Sequence, residues 1–336
     1  MEIVTFHQVV AVAESSQPSA ARYLTREIAE KAGFGEEDGY RAGLVATELG
    51  TNLVKHAKNG EILVRAVSGP PRSELEVIAI DRGPGMTDIL RSMSDGHSTS
   101  GSPGTGLGAI RRLADEFDIY SQPDRGSVVY VRLRDKRAPA ANGHRIHVGA
   151  VSVPKSGEHV CGDGWTVRHD IDGLSALLVD GLGHGMQAAE AADAARAAFA
   201  SQRFADTSHA LQAVHEGIRH TRGAAGAILG ISPEQRIARF AGVGNVGCAI
   251  VRDGSLRQAV SNNGTLGHQA RHFREYTYPW SDDAVFVMHS DGLTSHWSLQ
   301  SYHGICTRHP VVVAAVLYRD FSRNRDDVTV LVGRPA

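Results

Sequence analysis

Four aspartates stand where apolar runs or turns stop. Asp180 closes Ser175-Ala176-Leu177-Leu178-Val179 and is followed by the turn Gly181-Leu182-Gly183-His184-Gly185. Asp291 closes Val285-Phe286-Val287-Met288-His289-Ser290 and is likewise followed by glycine. Asp163 lies in Cys161-Gly162-Asp163-Gly164, and Asp326 in Asn324-Arg325-Asp326-Asp327-Val328-Thr329. A carboxylate at a strand end is held on a rigid support where a hard cation can sit. A carboxylate set without histidine or cysteine in its pattern suits Mg2+ or Mn2+ better than zinc. Two such ions about 3.5–4 Å apart could activate a water between them for in-line attack on phosphorus. Each Asp-Gly pair alone is also a plain turn signal, so the inference rests on the set.

The first third carries a different group. Glu48 and Asn52 are four apart on a helical pattern and so share a face. Asp81-Arg82-Gly83-Pro84-Gly85 ends a β-like run, and Ser100-Gly101-Ser102-Pro103-Gly104-Thr105-Gly106-Leu107-Gly108 leads into a helix starting near Ala109. Glycines before a helix let backbone N–H groups and the positive end of the dipole face a phosphate. An asparagine oxygen can join a Mg2+ shell shared with phosphate oxygens, and a nearby glutamate could orient or deprotonate an attacking hydroxyl. A glycine-rich turn, a solvated glutamate and a strand-ending aspartate are the plain alternatives for each feature taken singly.

These residues need elements to hold them. Amphipathic helices are expected from Pro18 to Gly33 and over residues 36–57, and strands over 61–67 and 74–80. Residues 137–144 have linker composition and separate a domain at 1–136 from a second at 145–336. In the second domain strands are expected over 146–153, 165–169 and 174–179, then helices over 186–204 and 208–220. Further strands are expected over 225–231, 236–241, 246–252 and 284–288, a helix over 310–319 and a last strand over 328–332. The fold class is α+β with two domains.

The bulk numbers agree with two packed domains: 336 residues, 42% hydrophobic and 21% charged. A net charge of -2 implies neither nucleic acid nor an acidic membrane as partner. The three cysteines, Cys161, Cys248 and Cys306, are far apart and unpaired in pattern, which argues against a disulfide frame or structural zinc. No secretory signal or membrane-spanning run is visible, so a cytoplasmic location is expected.

Glu48-Leu49-Gly50-Thr51-Asn52, Asp81-x-Gly-x-Gly and Gly104-x-Gly-x-Gly108, in this order and spacing, resemble the GHKL (Bergerat) ATP-binding fold, an α/β sandwich. Asp95-Gly96-His97-Ser98-Thr99-Ser100-Gly101, with Arg112-Leu113-x-Asp115-Glu116-Phe117, is similar to the small switch kinases of the RsbT type. The resemblance covers residues 1–134. It implies that Asn52 binds Mg2+, that Asp81 hydrogen-bonds the adenine amino group, and that Gly83, Gly85, Gly104, Gly106 and Gly108 shape the ATP pocket. Glu48 would be the catalytic base and residues 94–103 a mobile lid.

Gly-Asp, Asp-Gly-x-Gly-His-Gly-x-x-Ala-Ala, Ser-Asp-Gly and Asp-Asp-x-Thr together resemble the metal-dependent PPM phosphatases, in the SpoIIE branch with its compact RsbX-like members. Ala241-Gly242-Val243-Gly244-Asn245 and Gly264-Thr265-Leu266-Gly267 fit the same branch. This resemblance covers residues 145–334 and implies an α-β-β-α sandwich. Asp163, Asp180, Asp291 and Asp326, with the Gly181 carbonyl, would ligate two ions of Mn2+ or Mg2+, and Asp180 and Asp291 would be catalytic. Leu182 stands where larger members have a histidine, His184 reads as structural, and no early arginine for gripping phosphate is evident. The implied whole is a fused Ser/Thr kinase and phosphoserine/phosphothreonine phosphatase. Its partners would be STAS-domain antagonists or stressosome components of a sigma-factor stress cascade. The alternative makes the N-terminal part an ATP-loaded anti-sigma or scaffold-docking module without catalysis.

Overall fold

Pro18 near the start and Gly33 beyond the end delimit the first amphipathic helix, as their backbone preferences require. In the computed structural model residues 6–68, 73–93, 106–137, 145–170, 173–201 and 206–336 are described. The chain divides into two units, Met1–Asn142 and Gly143–Ala336. The expected lid, Gly104 and most of the expected linker lie outside the described residues.

The first unit runs β1 (Gln8–Val12), α1 (Gln17–Lys31), α2 (Glu36–His56), β2 (Gly60–Ser68), β3 (Glu74–Ile80), α3 (Ile89–Met93), α4 (Gly106–Leu113), β4 (Glu116–Ser121) and β5 (Ser127–Arg134). Its strands form one antiparallel sheet in the order β1-β2-β3-β5-β4. Helix α2 has Glu36, Glu37 and Asp38 in its first turn and Lys55 and His56 in its last, each complementing the helix dipole. Its Val45, Leu49 and Leu53 pack with Ile62, Val64, Val77 and Ala79 of the sheet. Each valine, leucine or isoleucine among them contributes roughly 1.5–3 kcal/mol by leaving water. With that stripe turned inward, Glu48 and Asn52 fall on the helix flank, half-buried.

Strands β1, β4 and β5 were not among the expected elements. The β4–β5 pair carries Glu116, Asp118, Arg132 and Arg134 within short runs, which obscures the apolar signal. In the structure those charges pair across strands. Arg65, Glu76 and Arg132 stand in register on β2, β3 and β5. Arg65 Nε donates to Glu76 Oε2 at 2.7 Å, Arg132 Nη2 to Glu76 Oε1 at 2.7 Å, and the buried His7 lies beside the same carboxylate. Burial would raise the Glu76 pKa, but Arg65, Arg132 and His7 outweigh it and hold the group down to about 2. The unfolded chain binds that proton more readily, so the stability contributed by Glu76 is complete above pH 4.5 and is lost as pH falls toward 2. The loss amounts to about 3 kcal/mol. Thermal melts across this window should show a steep acid slope that Glu76→Gln flattens, at a stability cost of about 3–5 kcal/mol near neutrality from the buried arginines left behind.

The second unit runs β6 (Ile146–Val153), β7 (Asp163–Asp170), β8 (Gly173–Gly181), α5 (Met186–Ala200), α6 (Thr207–Gly217), β9 (Ala224–Ser232), β10 (Ile237–Val243), β11 (Gly247–Arg252), β12 (Ser255–Gln258), β13 (Tyr276–Pro279), β14 (Val285–His289), α7 (Pro310–Phe321) and β15 (Val328–Pro335). Two antiparallel sheets result, ordered β13-β10-β9-β8-β7 and β12-β11-β14-β15-β6. Leu178, Leu229 and Phe240 of the first sheet share a core with Ile250, Phe286 and Leu331 of the second. Helices α5 and α6 cover the first sheet and α7 lies on the second, which makes an α-β-β-α sandwich. The alanines of α5, among them Ala188, Ala191, Ala192 and Ala195, are buried and let that helix approach β7 and β8 closely. Among the described residues no helix is long and apolar enough to cross a membrane.

Candidate functional site

In the first unit three segments meet. Asn52, one turn beyond Glu48 on α2, lies against the start of α4: a Cβ built on Gly106 would stand 3.1 Å from Asn52 Oδ1. The Asn52 Nδ2 atom is buried and has no hydrogen-bond partner among the described residues. An amide held beside a helix N-terminus with spare polar capacity fits a phosphate and its Mg2+. Gly106 and Gly108 both lie within α4 rather than before it, since the helix begins three residues earlier than expected.

Asp81 is buried just past β3. Its Oδ1 accepts from the Gly83 N–H at 2.6 Å and its Oδ2 from the Ser127 N–H at 3.2 Å. These bonds orient the group at the end of β3. Gly85 has φ +70°, and a Cβ there would overlap the Gln122 carbonyl oxygen. The turn after Asp81 therefore packs on the β4–β5 hairpin, where the Asp124 N–H also donates to Pro84 O at 2.8 Å. Gly85 thus shapes the backbone behind Asp81.

In the second unit the aspartates come from four places in the chain. Asp163 and Asp180 face each other in register on β7 and β8. The Asp180 carboxylate accepts from the backbone N–H of Asp291 and feels the charges of Asp291, Asp326 and Asp327. Burial and those charges push Asp180 up to about 7. Burial and Asp180 raise Asp163 well above the usual carboxylate range, and burial with Asp326 raises Asp291. Among the described residues no three histidine, cysteine or acidic side chains close on one point. The aspartates are electrostatic neighbours instead, Asp163 with Asp180 and Asp180 with Asp291 and Asp326, a carboxylate ring in that sense. An all-oxygen set with this excess of partly buried negative charge fits a hard divalent cation.

Hydrogen bonds from further residues hold the ring. Ser290 Oγ donates to Asp163 Oδ2 at 2.7 Å and accepts from the Thr329 N–H at 3.0 Å, which ties β7 to β14 and β15. Asn245 Nδ2 donates to Asp291 Oδ2 at 2.5 Å. Asp327 accepts from the Lys155 and Gly162 N–H groups at 2.8 and 3.0 Å and so fastens the turn before Asp163. His184 Nδ1 pairs with Glu158 Oε1 at 2.6 Å, a bond within the loop region. The Gly181 N–H donates to Gly162 O at 3.0 Å, and a Cβ on Gly181 would overlap the Ala188 carbonyl oxygen. Gly181→Ala should therefore force α5 off β8. A loss of about 2 kcal/mol in denaturant unfolding is expected, together with weaker Mn2+ binding by calorimetry.

Comparison with known proteins follows the same division. Residues 11–133 match the family described as Histidine kinase-like ATPase domain, and residues 170–335 match Stage II sporulation protein E (SpoIIE). The serine/threonine-protein kinase RsbT of Bacillus subtilis (strain 168) is 40% identical over 110 residues, 33% of this chain and 83% of RsbT. The phosphoserine phosphatase RsbX of the same organism is 27% identical over 140 residues, 41% of this chain and 70% of RsbX. A solved structure described as "The bacterial stressosome: a modular system that has been adapted to control secondary messenger signaling" covers 57% of this chain and 100% of its own. It shares 26% identity, with a TM-score of 0.53. Both resemblances drawn from the motifs hold at the level of family. The chain is a fusion: its N-terminal part belongs to the RsbT family of serine/threonine-protein kinases, within the histidine kinase-like ATPase domains, and its C-terminal part is a SpoIIE domain related to the phosphatase RsbX.

Proposed function

We propose that this chain is a two-way switch on regulatory proteins: residues 1–136 phosphorylate Ser or Thr at the expense of ATP, and residues 145–336 remove such phosphates, with 137–144 as the joint. The observation that supports the reading is that one chain holds both Asn52 against Gly106 at the start of α4 and the neighbouring carboxylates of Asp163, Asp180 and Asp291. In the first part Glu48 would take the proton of the attacking hydroxyl, Asn52 would join the Mg2+ shell and Asp81 would accept from the adenine amino group. In the second, Asp163, Asp180, Asp291 and Asp326, with the Gly181 carbonyl, would hold the ions. Divalent ions bound there would supply Lewis acidity and a water acidic enough to serve as nucleophile. Asn245 and Ser290 keep Asp291 and Asp163 in place.

The kinship with RsbT and RsbX supports substrates that are STAS-domain antagonists or stressosome components of a sigma-factor stress cascade. The test is incubation of the full chain with such partners, with and without ATP and Mn2+, read by intact mass. A phosphate gained with ATP and lost with Mn2+ is the expected result. Complex formation without phosphate transfer would make the N-terminal part an ATP-loaded docking module instead.

A further inference from the structure

We propose that Arg222 and Arg323 clamp the substrate's phosphate at the carboxylate ring, supplying guanidinium groups from two late loops. The inference rests on the phosphatase reading of that ring. Arg222 is exposed and, among the described residues, its side chain has no hydrogen bond or ion pair. It stands beside the turn that follows Asp180: a Cβ built on Gly183 would lie 2.9 Å from Arg222 Nη1. The same turn reaches the Asp163 side, where Gly183 O would be 3.6 Å from a Cβ on Gly162. Arg222 is set there by its neighbours. Thr221 Oγ1 donates to Ile218 O at 2.7 Å and accepts from the Gly223 N–H at 3.1 Å, and the Leu182 N–H donates to Gly223 O at 3.0 Å.

Arg323 occupies the equivalent position beside Asp291. Its N–H donates to Gly292 O at 2.9 Å, its side chain is exposed without an ion pair among the described residues, and its charge is felt at Asp291 and His289. A guanidinium next to a cation-binding carboxylate weakens the cation's hold, so two such arginines oppose metal binding as they stand. They make chemical sense if a dianion is to arrive. A phosphate accepts bidentate N–H bonds from a guanidinium, and arginines left unpaired by the ring's own carboxylates are free to give them. The ring by itself would repel the phosphate.

The experiment is calorimetric titration of inorganic phosphate into the full chain loaded with Mn2+, followed by steady-state kinetics on a phosphoserine peptide. Arg222→Ala and Arg323→Ala should each weaken phosphate binding by about tenfold or more, the range of a charge-assisted hydrogen bond at a partly exposed site. Mn2+ affinity should stay equal or rise. KM should increase by a similar factor with kcat changed far less, and Arg222→Lys should recover part of the loss. Unchanged phosphate affinity in both alanine variants overturns the clamp, and so does a parallel fall in Mn2+ affinity, which would mark the arginines as structural supports. A wild-type chain that neither binds Mn2+ nor hydrolyses the peptide overturns the phosphatase reading itself, a result distinct from either.

Discussion

Asp180→Asn is expected to abolish Mn2+-dependent hydrolysis of a phosphoserine peptide while making the metal-free chain more stable at pH 8. The two effects have one cause. Asp180 sits opposite Asp163 on the neighbouring strand and beneath the Asp291 backbone, within reach of four other carboxylates. Burial and those charges push it up to about 7 from an ordinary value of 3.8. Its folded-state pKa is raised, so the folded chain favours the protonated form. The corresponding stability is complete below pH 3.8 and is lost as pH rises through 7. At pH 8 the ionised group therefore costs the metal-free fold a few kcal/mol. Asparagine keeps the shape and removes the charge, so its melting temperature should exceed that of the wild type at pH 8 and converge with it near pH 4. The activity loss should be larger than a hundredfold, since even residues that merely support a metal ligand cost 10–100-fold when replaced. Asp291→Ala should lose activity equally. Retained Mn2+-dependent hydrolysis in either variant, or a lower melting temperature for Asp180→Asn at pH 8, would remove Asp180 from the centre of the site.

Asp180 and Asp291 were legible in sequence because each closes an apolar strand at a glycine, and such strand ends leave a strong local mark: an apolar run, a carboxylate, then a residue without a side chain. That pattern singled out Asp180 and Asp291 without any knowledge of which strands pair, whereas Asp163, which opens β7, was read from its Gly-Asp-Gly turn. It could not show that Asp163 and Asp180 stand in register, because register depends on the β7–β8 connection rather than on either strand alone. Ser290 and Asn245 lay inside quoted motifs, yet the carboxylates they hold are more than forty positions away in sequence. Arg222 and Arg323 left no signal, since an exposed arginine in a turn is ordinary and only the fold places it beside an aspartate. In the first unit the strands that escaped notice are β1, β4 and β5. For β4 and β5 the reason is physical: Arg132, Arg134 and Glu116 satisfy one another across strands, so a run rich in charge is buried without being apolar.

Glu48→Gln should separate nucleotide binding from phosphoryl transfer in the N-terminal part. Glu48 stands on the flank of α2, whose seat is secured by Val45, Leu49 and Leu53 in the core, so an isosteric amide there leaves the helix undisturbed. One turn on, Asn52 meets the start of α4 with its Nδ2 buried and without a partner among the described residues. If Asn52 takes part in the Mg2+ shell and Glu48 only accepts the proton of the incoming hydroxyl, the two substitutions must differ in kind. Glu48→Gln should keep ATP affinity within about twofold, while transfer to a partner protein falls by about 10²–10⁴, the usual contribution of a general base. Asn52→Ala should weaken ATP binding itself, and transfer should fall with it. Calorimetric titration with ATP and Mg2+, beside radiolabel transfer to the partner, distinguishes these outcomes. Transfer that survives in Glu48→Gln would leave the hydroxyl without a base on α2 and shift the search to the residues around α4. ATP binding that is intact in the wild type but never followed by transfer would mean that the nucleotide serves to shape a docking surface, and Glu48→Gln would then have no activity to lose.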